Sequence, residues 1–304
     1  MYIFNKMLFL IYGHNGWIGK QVCTILDDMK VNYVRGDCRA ENIDDLEKEI
    51  LRYNPTHIMS LIGRTYGVYN NILINNIDYL EQEGKLKENI RDNLYSPTVL
   101  AIISNKHKIH YTYLGTGCIY NYDDNEHPYE KEINGFTEDS PPNFFGSSYS
   151  VVKGYTDKIM KLFDNVLNVR IRMPISDDMS ERNFINKITK YNKICSIYNS
   201  MTTLPELLPL MVDMSMNKIT GSINLINPGL ISHNEILEMY KEIIDPNLSW
   251  ENFTLDEQNQ ILKSKRCNCY MSSSKLLYYY PNVMDIKQSV RLCLEKMKLN
   301  MNNY

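Results

Sequence analysis

An α/β fold built on a doubly wound parallel sheet is predicted by three features of this chain. A largely apolar run, Met7 to Tyr12, feeds straight into the turn Gly13-His14-Asn15-Gly16-Trp17-Ile18-Gly19. Short apolar strands then alternate with helical patterns as far as Arg172, and beyond Pro174 that alternation breaks into mixed pieces. Together they predict a Rossmann-type domain over residues 1–174 and a smaller C-terminal α/β substrate lobe over 175–304, with segments free to interleave.

The first strand leads into a helix over Trp17 to Met29, whose apolar residues fall at 18, 22, 25, 26 and 29. A short strand at Asn32 to Val34, a helix at Ile43 to Tyr53 and a buried strand at His57 to Ile62 follow. Next come a helix at Ile90 to Ser104, a strand at His110 to Leu114, a helix at Ser147 to Phe163 and a strand at Val166 to Arg172. Such alternation makes the strands parallel, because each helix carries the chain back along a face of the sheet. The second lobe reads as helices at Asn183 to Tyr191, Leu204 to Met216 and His233 to Ile244, with a strand at Ser222 to Ile226. Tyr122 to Pro142 is polar, charged and proline-containing, the composition of a loop beside a site.

A chain of 304 residues buries a sizeable core, and its formal charge of -3 supplies no attraction to nucleic acid or an anionic membrane. Its apolar runs fall short of the roughly 20 residues that span a bilayer, and Met1 to Leu10 lacks the pattern of a secretory signal. Seven dispersed cysteines, an odd number, predict reduced thiols and a cytoplasmic protein. Cys267 and Cys269 are too close together for zinc-finger spacing, so no metal is expected.

In the glycine turn, residues 13, 16 and 19 stand at i, i+3 and i+6, where backbone approaches a pyrophosphate and the following helix offers its free amides. After the second strand, Arg35-Gly36-Asp37-Cys38-Arg39 combines an acidic residue suited to a ribose with two arginines suited to a 2′-phosphate, which favours NADPH through Arg35 or Arg39 and leaves NADH open. Tyr149 and Lys153 lie one helical turn apart, so the ammonium lowers the pKa of a phenol that is otherwise a poor acid at neutral pH. Thr116, at the end of an apolar strand, supplies a third hydrogen-bonding group for a carbonyl. Those three groups behind a dinucleotide turn predict hydride chemistry. Cys118 lies two residues beyond Thr116, so an extended chain would point the thiol and hydroxyl the same way. Asn93 is a candidate for ordering water or backbone near the lysine.

The stretches GHNGWIG, GTGCIYNY, NFFGSSYSVVK, RIRMPIS, RNFINKITKY, NSMT, ELLP and NPGLISHNEILEMY resemble the extended short-chain dehydrogenase/reductases. Within them the pattern, from about residue 8 to about residue 290, is similar to that of the nucleotide-sugar 3,5-epimerase/4-reductases that make UDP-L-rhamnose. The resemblance implies a homodimer acting on a UDP-linked 4-keto-6-deoxyhexose. It implies that Gly13, Asn15, Gly16, Trp17, Ile18, Gly19, Ile62, Gly63, Asn93, Met173 and Pro174 line the cofactor site, and that Thr116, Tyr149 and Lys153 form the reductive triad. Cys118 with Lys187 would handle epimerisation, Lys190 being the rival one turn on; Arg266 would meet the diphosphate. Asn183, Asn199 and Asn227 are candidate sugar or base contacts. Two departures stand out: Gly67 to Asn76 is longer than the family's equivalent, and Met271 to Ser274 lacks its acidic position.

A 4-keto group acidifies the protons on carbons 3 and 5, because the pair left behind delocalises onto oxygen; a thiol and an amine suit that proton traffic. A 4-keto-reductase alone would have no use for the thiol. A non-catalytic NADPH-binding regulatory subunit would have no chemical reason to keep Thr116, Tyr149 and Lys153 together.

Overall fold

Phe9–Tyr12 (β1) is four consecutive buried residues, the pattern of a strand covered on both faces. In this computed structural model residues 7–123 and 135–302 are described. β1 is followed by α1 (Trp17–Asp28), β2 (Tyr33–Arg35), α2 (Ile43–Tyr53), β3 (His57–Ser60), α3 (Ser96–Lys106), β4 (His110–Thr116), α4 (Ser148–Met160), β5 (Val166–Ile171) and β6 (Gly221–Asn224). The sheet order is β6-β5-β4-β3-β1-β2, with β1 parallel to both β2 and β3, and β3 parallel to β4. Strand order therefore reverses between β1 and β3, placing the glycine turn at the carboxyl end of β1, beside the switch point where open α/β sheets take their ligands.

The chain divides into two interleaved units: Met1–Thr116, Ser148–Val169 and Leu208–Ile223 form the first, while Gly117–Ser147, Arg170–Leu207 and Asn224–Tyr304 form the second. The first has a core of Leu10, Leu46, Ile50, Ile58, Leu100 and Tyr111 with Met160 and Val166. The second has its own, in which Ile175, Ile185, Ile188 and Met201 meet Leu237, Leu294 and Met297. Full burial of each such side chain contributes about 2 kcal/mol. Within the second unit, Ile286–Asn302 packs on His233–Ile243, whose start is fixed by a capping box between Ser232 and Glu235.

Three elements differ from the sequence reading. The helix expected from Ile90 to Ser104 is instead Leu86–Ile90, a π-turn at Arg91–Tyr95 and then α3. Pro97 explains the break: it has no N–H to give the Asn93 carbonyl, which accepts the Thr156 hydroxyl at 2.7 Å instead. The extra length at Gly67 to Asn76 is a two-stranded hairpin, Gly67–Tyr69 against Ile72–Ile74, turned by Asn70 and Asn71 at positive φ. The helix read from Asn183 shortens to Phe184–Ile188. Of the loop read from Tyr122 to Pro142, residues 124–134 lie outside the described residues; within the second unit Phe136 is buried and exchanges backbone hydrogen bonds with Tyr270 and Ser272.

Candidate active site

The first unit holds the glycine turn and the tyrosine-lysine helix. Gly13 has φ of +80°, and a Cβ there would lie 2.6 Å from the Leu61 carbonyl carbon; a Cβ on Gly19 would lie 2.2 Å from the Gly13 oxygen. Only glycine lets this turn close so tightly. The start of α1 at Gly16 has no side-chain cap and no acidic residue in its first turn, so its amides and the positive end of the helix dipole suit a diphosphate. Asn15 and Gly16 are exposed at the turn, Trp17 and Ile18 half-buried. These features fit a dinucleotide.

Past β2, which ends at Arg35, buried Glu49 accepts from the Asp37 amide at 2.8 Å and from Tyr12 Oη at 2.7 Å, shaping the loop that carries Arg39. Both arginines are exposed, and Arg39 Nε meets Glu41 at 3.1 Å. On the far side of β1, Asn93 Oδ1 accepts from the Arg64 amide at 2.9 Å, and its Nδ2 donates to the Arg64 carbonyl and to Asn89. Asn93 thus fixes the backbone just beyond Ile62 and Gly63. Asn89 in turn donates to Ser148 Oγ, and Glu81 accepts from the Ser148 amide at 2.7 Å, setting the start of α4 directly ahead of Tyr149.

Tyr149 and Lys153 are buried on α4, and Thr116 is buried at the end of β4. Lys153 Nζ donates to Tyr113 Oη at 2.5 Å, lies 4.6 Å from that ring's centroid, and reaches the Leu114 carbonyl at 3.4 Å. Burial pushes the Tyr113 phenol well above its ordinary pKa, so it stays a neutral acceptor for the ammonium.

The second unit carries Cys118 and Lys187. The alternation that would align Thr116 with Cys118 does not hold: the strand stops at Thr116, and Gly117 begins a turn in which Tyr120 N donates to the Gly117 oxygen at 3.3 Å. Cys118 is half-exposed. Fully buried Arg172 sends Nη1 to Cys118 Sγ at 3.6 Å and to Cys267 Sγ at 2.9 Å, and Nη2 to the Cys267 carbonyl at 2.7 Å and Asn199 Oδ1 at 2.5 Å.

Lys187 is half-buried, and its pKa falls to about 8 through burial, reinforced by the positive charges of Arg182 and Arg266. Lys190 instead lies past the end of the helix, exposed and 3.3 Å from Glu181. A lysine lowered in this way, as Lys187 is, exchanges its proton readily near neutral pH. Arg266 is half-buried, one of its nitrogens donating to the Ser264 carbonyl at 3.0 Å. Met173 adopts φ of +41°, and Pro174 opens a short strand paired with Thr202–Thr203.

The three asparagines read as substrate contacts are each fully buried, with the amide engaged within the protein. Asn183 caps Phe184–Ile188 and binds the backbone of Ser176 and Asp178. Asn199 accepts from Arg172 and the Cys269 amide and donates to Ile197 and Asn268. Asn227 accepts from the Thr203 amide and hydroxyl and donates to Glu206 and Met284.

No known protein-family model matches the chain. A protein of Acanthamoeba polyphaga mimivirus is 50% identical over 293 residues, covering 96% of this chain and 99% of its own length. The crystal structure of a UDP-rhamnose synthase from that virus aligns with a TM-score of 0.90 at 49% identity, covering 95% of this chain and 99% of the other. The chain belongs to the UDP-rhamnose synthase family. The Arabidopsis thaliana bifunctional dTDP-4-dehydrorhamnose 3,5-epimerase/dTDP-4-dehydrorhamnose reductase is 39% identical over 93% of this chain and 90% of that protein. An Arabidopsis trifunctional protein that adds a UDP-glucose 4,6-dehydratase is 41% identical, and the chain spans 41% of its length. The bacterial reductase fold is shared at low identity: a dTDP-4-dehydrorhamnose reductase of Clostridium acetobutylicum aligns with a TM-score of 0.76 at 15% identity.

Sequence reasoning passed over Glu49, Tyr113 and Arg172 in this UDP-rhamnose synthase family member. Arg172 left a signal, since a cation at the end of a buried strand, here directly after Ile171, must find buried partners. The other two left none that composition or spacing reveals.

Proposed function

We propose that this protein converts a UDP-linked 4-keto-6-deoxy-D-glucose to UDP-L-rhamnose, epimerising carbons 3 and 5 and then reducing the ketone with NADPH. The observation that carries the reading is a lysine brought to a pKa of about 8, Lys187, in a chain that also buries Thr116, Tyr149 and Lys153. A reductase alone has no task for such an amine. UDP is favoured over dTDP by the half-identical viral relative.

In the epimerase step Cys118, as thiolate, takes the proton from carbon 3 or carbon 5. The bonding pair moves onto the ketone oxygen, which Thr116 and Tyr149 stabilise by hydrogen bonds. The Lys187 ammonium then gives its proton to the opposite face of that carbon, inverting it. In the reductive step Tyr149 delivers its phenolic proton to the same oxygen, and Lys153 stabilises the phenolate left behind. Gly13, Gly16 and Gly19 with the α1 amides hold the diphosphate of the dinucleotide, and Arg35 or Arg39 its 2′-phosphate. When bound, the dinucleotide supplies the hydride to carbon 4.

Seven cysteines, with no disulfide among the described residues, support a reducing, cytoplasmic setting, and among those residues no helix is long and apolar enough to cross a membrane. A homodimer is part of this reading, and Tyr155 on α4 and Ile102 on α3, 58% and 52% exposed, are candidates for its contact. The deciding experiment incubates the purified protein with UDP-4-keto-6-deoxyglucose and either NADPH or NADH and identifies the sugar by NMR. UDP-rhamnose is expected; a reduced sugar with unchanged configuration at carbons 3 and 5 would leave a reductase only.

A further inference from the structure

Arg172 is a guanidinium that should be expensive to bury. It is fully enclosed, and among the described residues no carboxylate ion-pairs or hydrogen-bonds with it. Its partners are two carbonyl oxygens and two sulfurs, Cys267 Sγ at 2.9 Å and Cys118 Sγ at 3.6 Å. Neutral partners alone compensate a buried cation poorly, so the arrangement calls for an anion in contact with it.

We propose that Arg172 holds Cys118 as a thiolate, acting as the buried counter-ion of the sulfur that carries protons in epimerisation. Arg172 is in this sense a positioning residue, and the inference rests on the reading of Cys118 as the base.

The surroundings single out Cys118 among the three neighbouring thiols. Cys267 and Cys269 are buried, whereas Cys118 is half-exposed, where substrate and solvent reach it. The Cys267 thiol is pushed well up by its hydrogen bond with Cys118, then by burial, which leaves it the donor S–H beside an anionic Cys118. Burial pushes Cys269 up to about 11. Burial works against the Arg172 charge, but Coulombic attraction to the sulfurs around it, which requires negative charge on sulfur, prevails and the guanidinium stays protonated. His233, also in electrostatic reach of Arg172, is brought down to about 4 by burial and is neutral at working pH. Asn199 and the Cys267 carbonyl hold the Nη2 end of the fork, leaving Nη1 directed at sulfur. A proton leaving carbon thus passes to a sulfur whose lone pair Arg172 has kept available, and the Cys118 thiol regains its anion by releasing that proton to solvent.

The test measures iodoacetamide alkylation of Cys118 against pH, read by mass spectrometry of the peptide containing it, in the wild-type protein, Arg172→Lys and Arg172→Gln. Wild-type alkylation should have its midpoint below the ordinary thiol value of about 8.5. Arg172→Lys should keep most of that depression, and Arg172→Gln should raise the midpoint by about one unit or more. A wild-type midpoint at or above the ordinary value overturns the proposal whether or not the glutamine variant folds; so does a folded Arg172→Gln protein with an unchanged midpoint. Solvent-deuterium exchange at carbons 3 and 5 in Cys118→Ala separates this from the underlying reading. Retained exchange there removes Cys118 as the base, while the alkylation profiles still report whether Arg172 sets its charge.

Discussion

Lys153 gives its ammonium to Tyr113, a phenol on the neighbouring strand, at 2.5 Å. The lysine that supports the candidate proton donor Tyr149 is therefore itself held by a second tyrosine, fully enclosed and kept neutral by burial.

Tyr113→Phe removes that acceptor and leaves the ring in place. A hydrogen bond to a buried charge contributes about 1.5–3 kcal/mol, so reduction should slow by roughly tenfold or more. Exchange at carbons 3 and 5 should change little. Stopped-flow oxidation of NADPH set beside deuterium exchange by NMR checks both; equal losses would show that Tyr113 serves the fold rather than the lysine.

Tyr149→Phe and Cys118→Ala should produce separable lesions. The first abolishes reduction and leaves measurable solvent exchange, because the thiol and Lys187 still move protons. The second suppresses exchange. Loss of both activities in a folded Tyr149→Phe protein would count against this division of labour.

Lys187 sets a pH dependence. Its ammonium is the acid of epimerisation, so exchange should fall as pH rises through about 8. The sign for stability follows from a folded value held below the ordinary 10.5: the cost of burying the charge is full below about 8 and disappears as pH rises to 10.5. Lys187→Met should accordingly stabilise the protein by on the order of 1 kcal/mol at neutral pH while losing exchange. Urea titrations at neutral and high pH, with the gain confined to the former, would bear this out.

Asn227→Ala should cost stability rather than substrate affinity. It strands the Thr203 amide and disturbs Glu206, which also accepts from Ser289 Oγ at 2.7 Å and the Met284 amide at 2.8 Å. A loss of about 2–3 kcal/mol with KM near wild type is expected. A raised KM at unchanged stability would restore Asn227 as a ligand contact.

Arg39→Ala removes an exposed cation whose described partner is Glu41. If it meets a 2′-phosphate, KM for NADPH should rise about tenfold and that for NADH should stay put. Steady-state kinetics with each nucleotide decides between Arg39 and Arg35.

The sequence by itself determined the sheet, the glycine turn and the Tyr149-Lys153 pair, because each is a local pattern. A strand hides consecutive residues, a helix aligns positions four apart, and glycine permits close backbone approach wherever it stands. Only the tertiary structure decided that Lys187 is half-buried with its pKa lowered to about 8 while Lys190 is exposed against Glu181, that Asn183, Asn199 and Asn227 are spent on the scaffold, and that Arg172 meets sulfurs 54 and 95 residues away. The reason is electrostatic: a side chain's charge depends on desolvation and on neighbours supplied by distant segments, and neither is encoded in the spacing of the residues beside it.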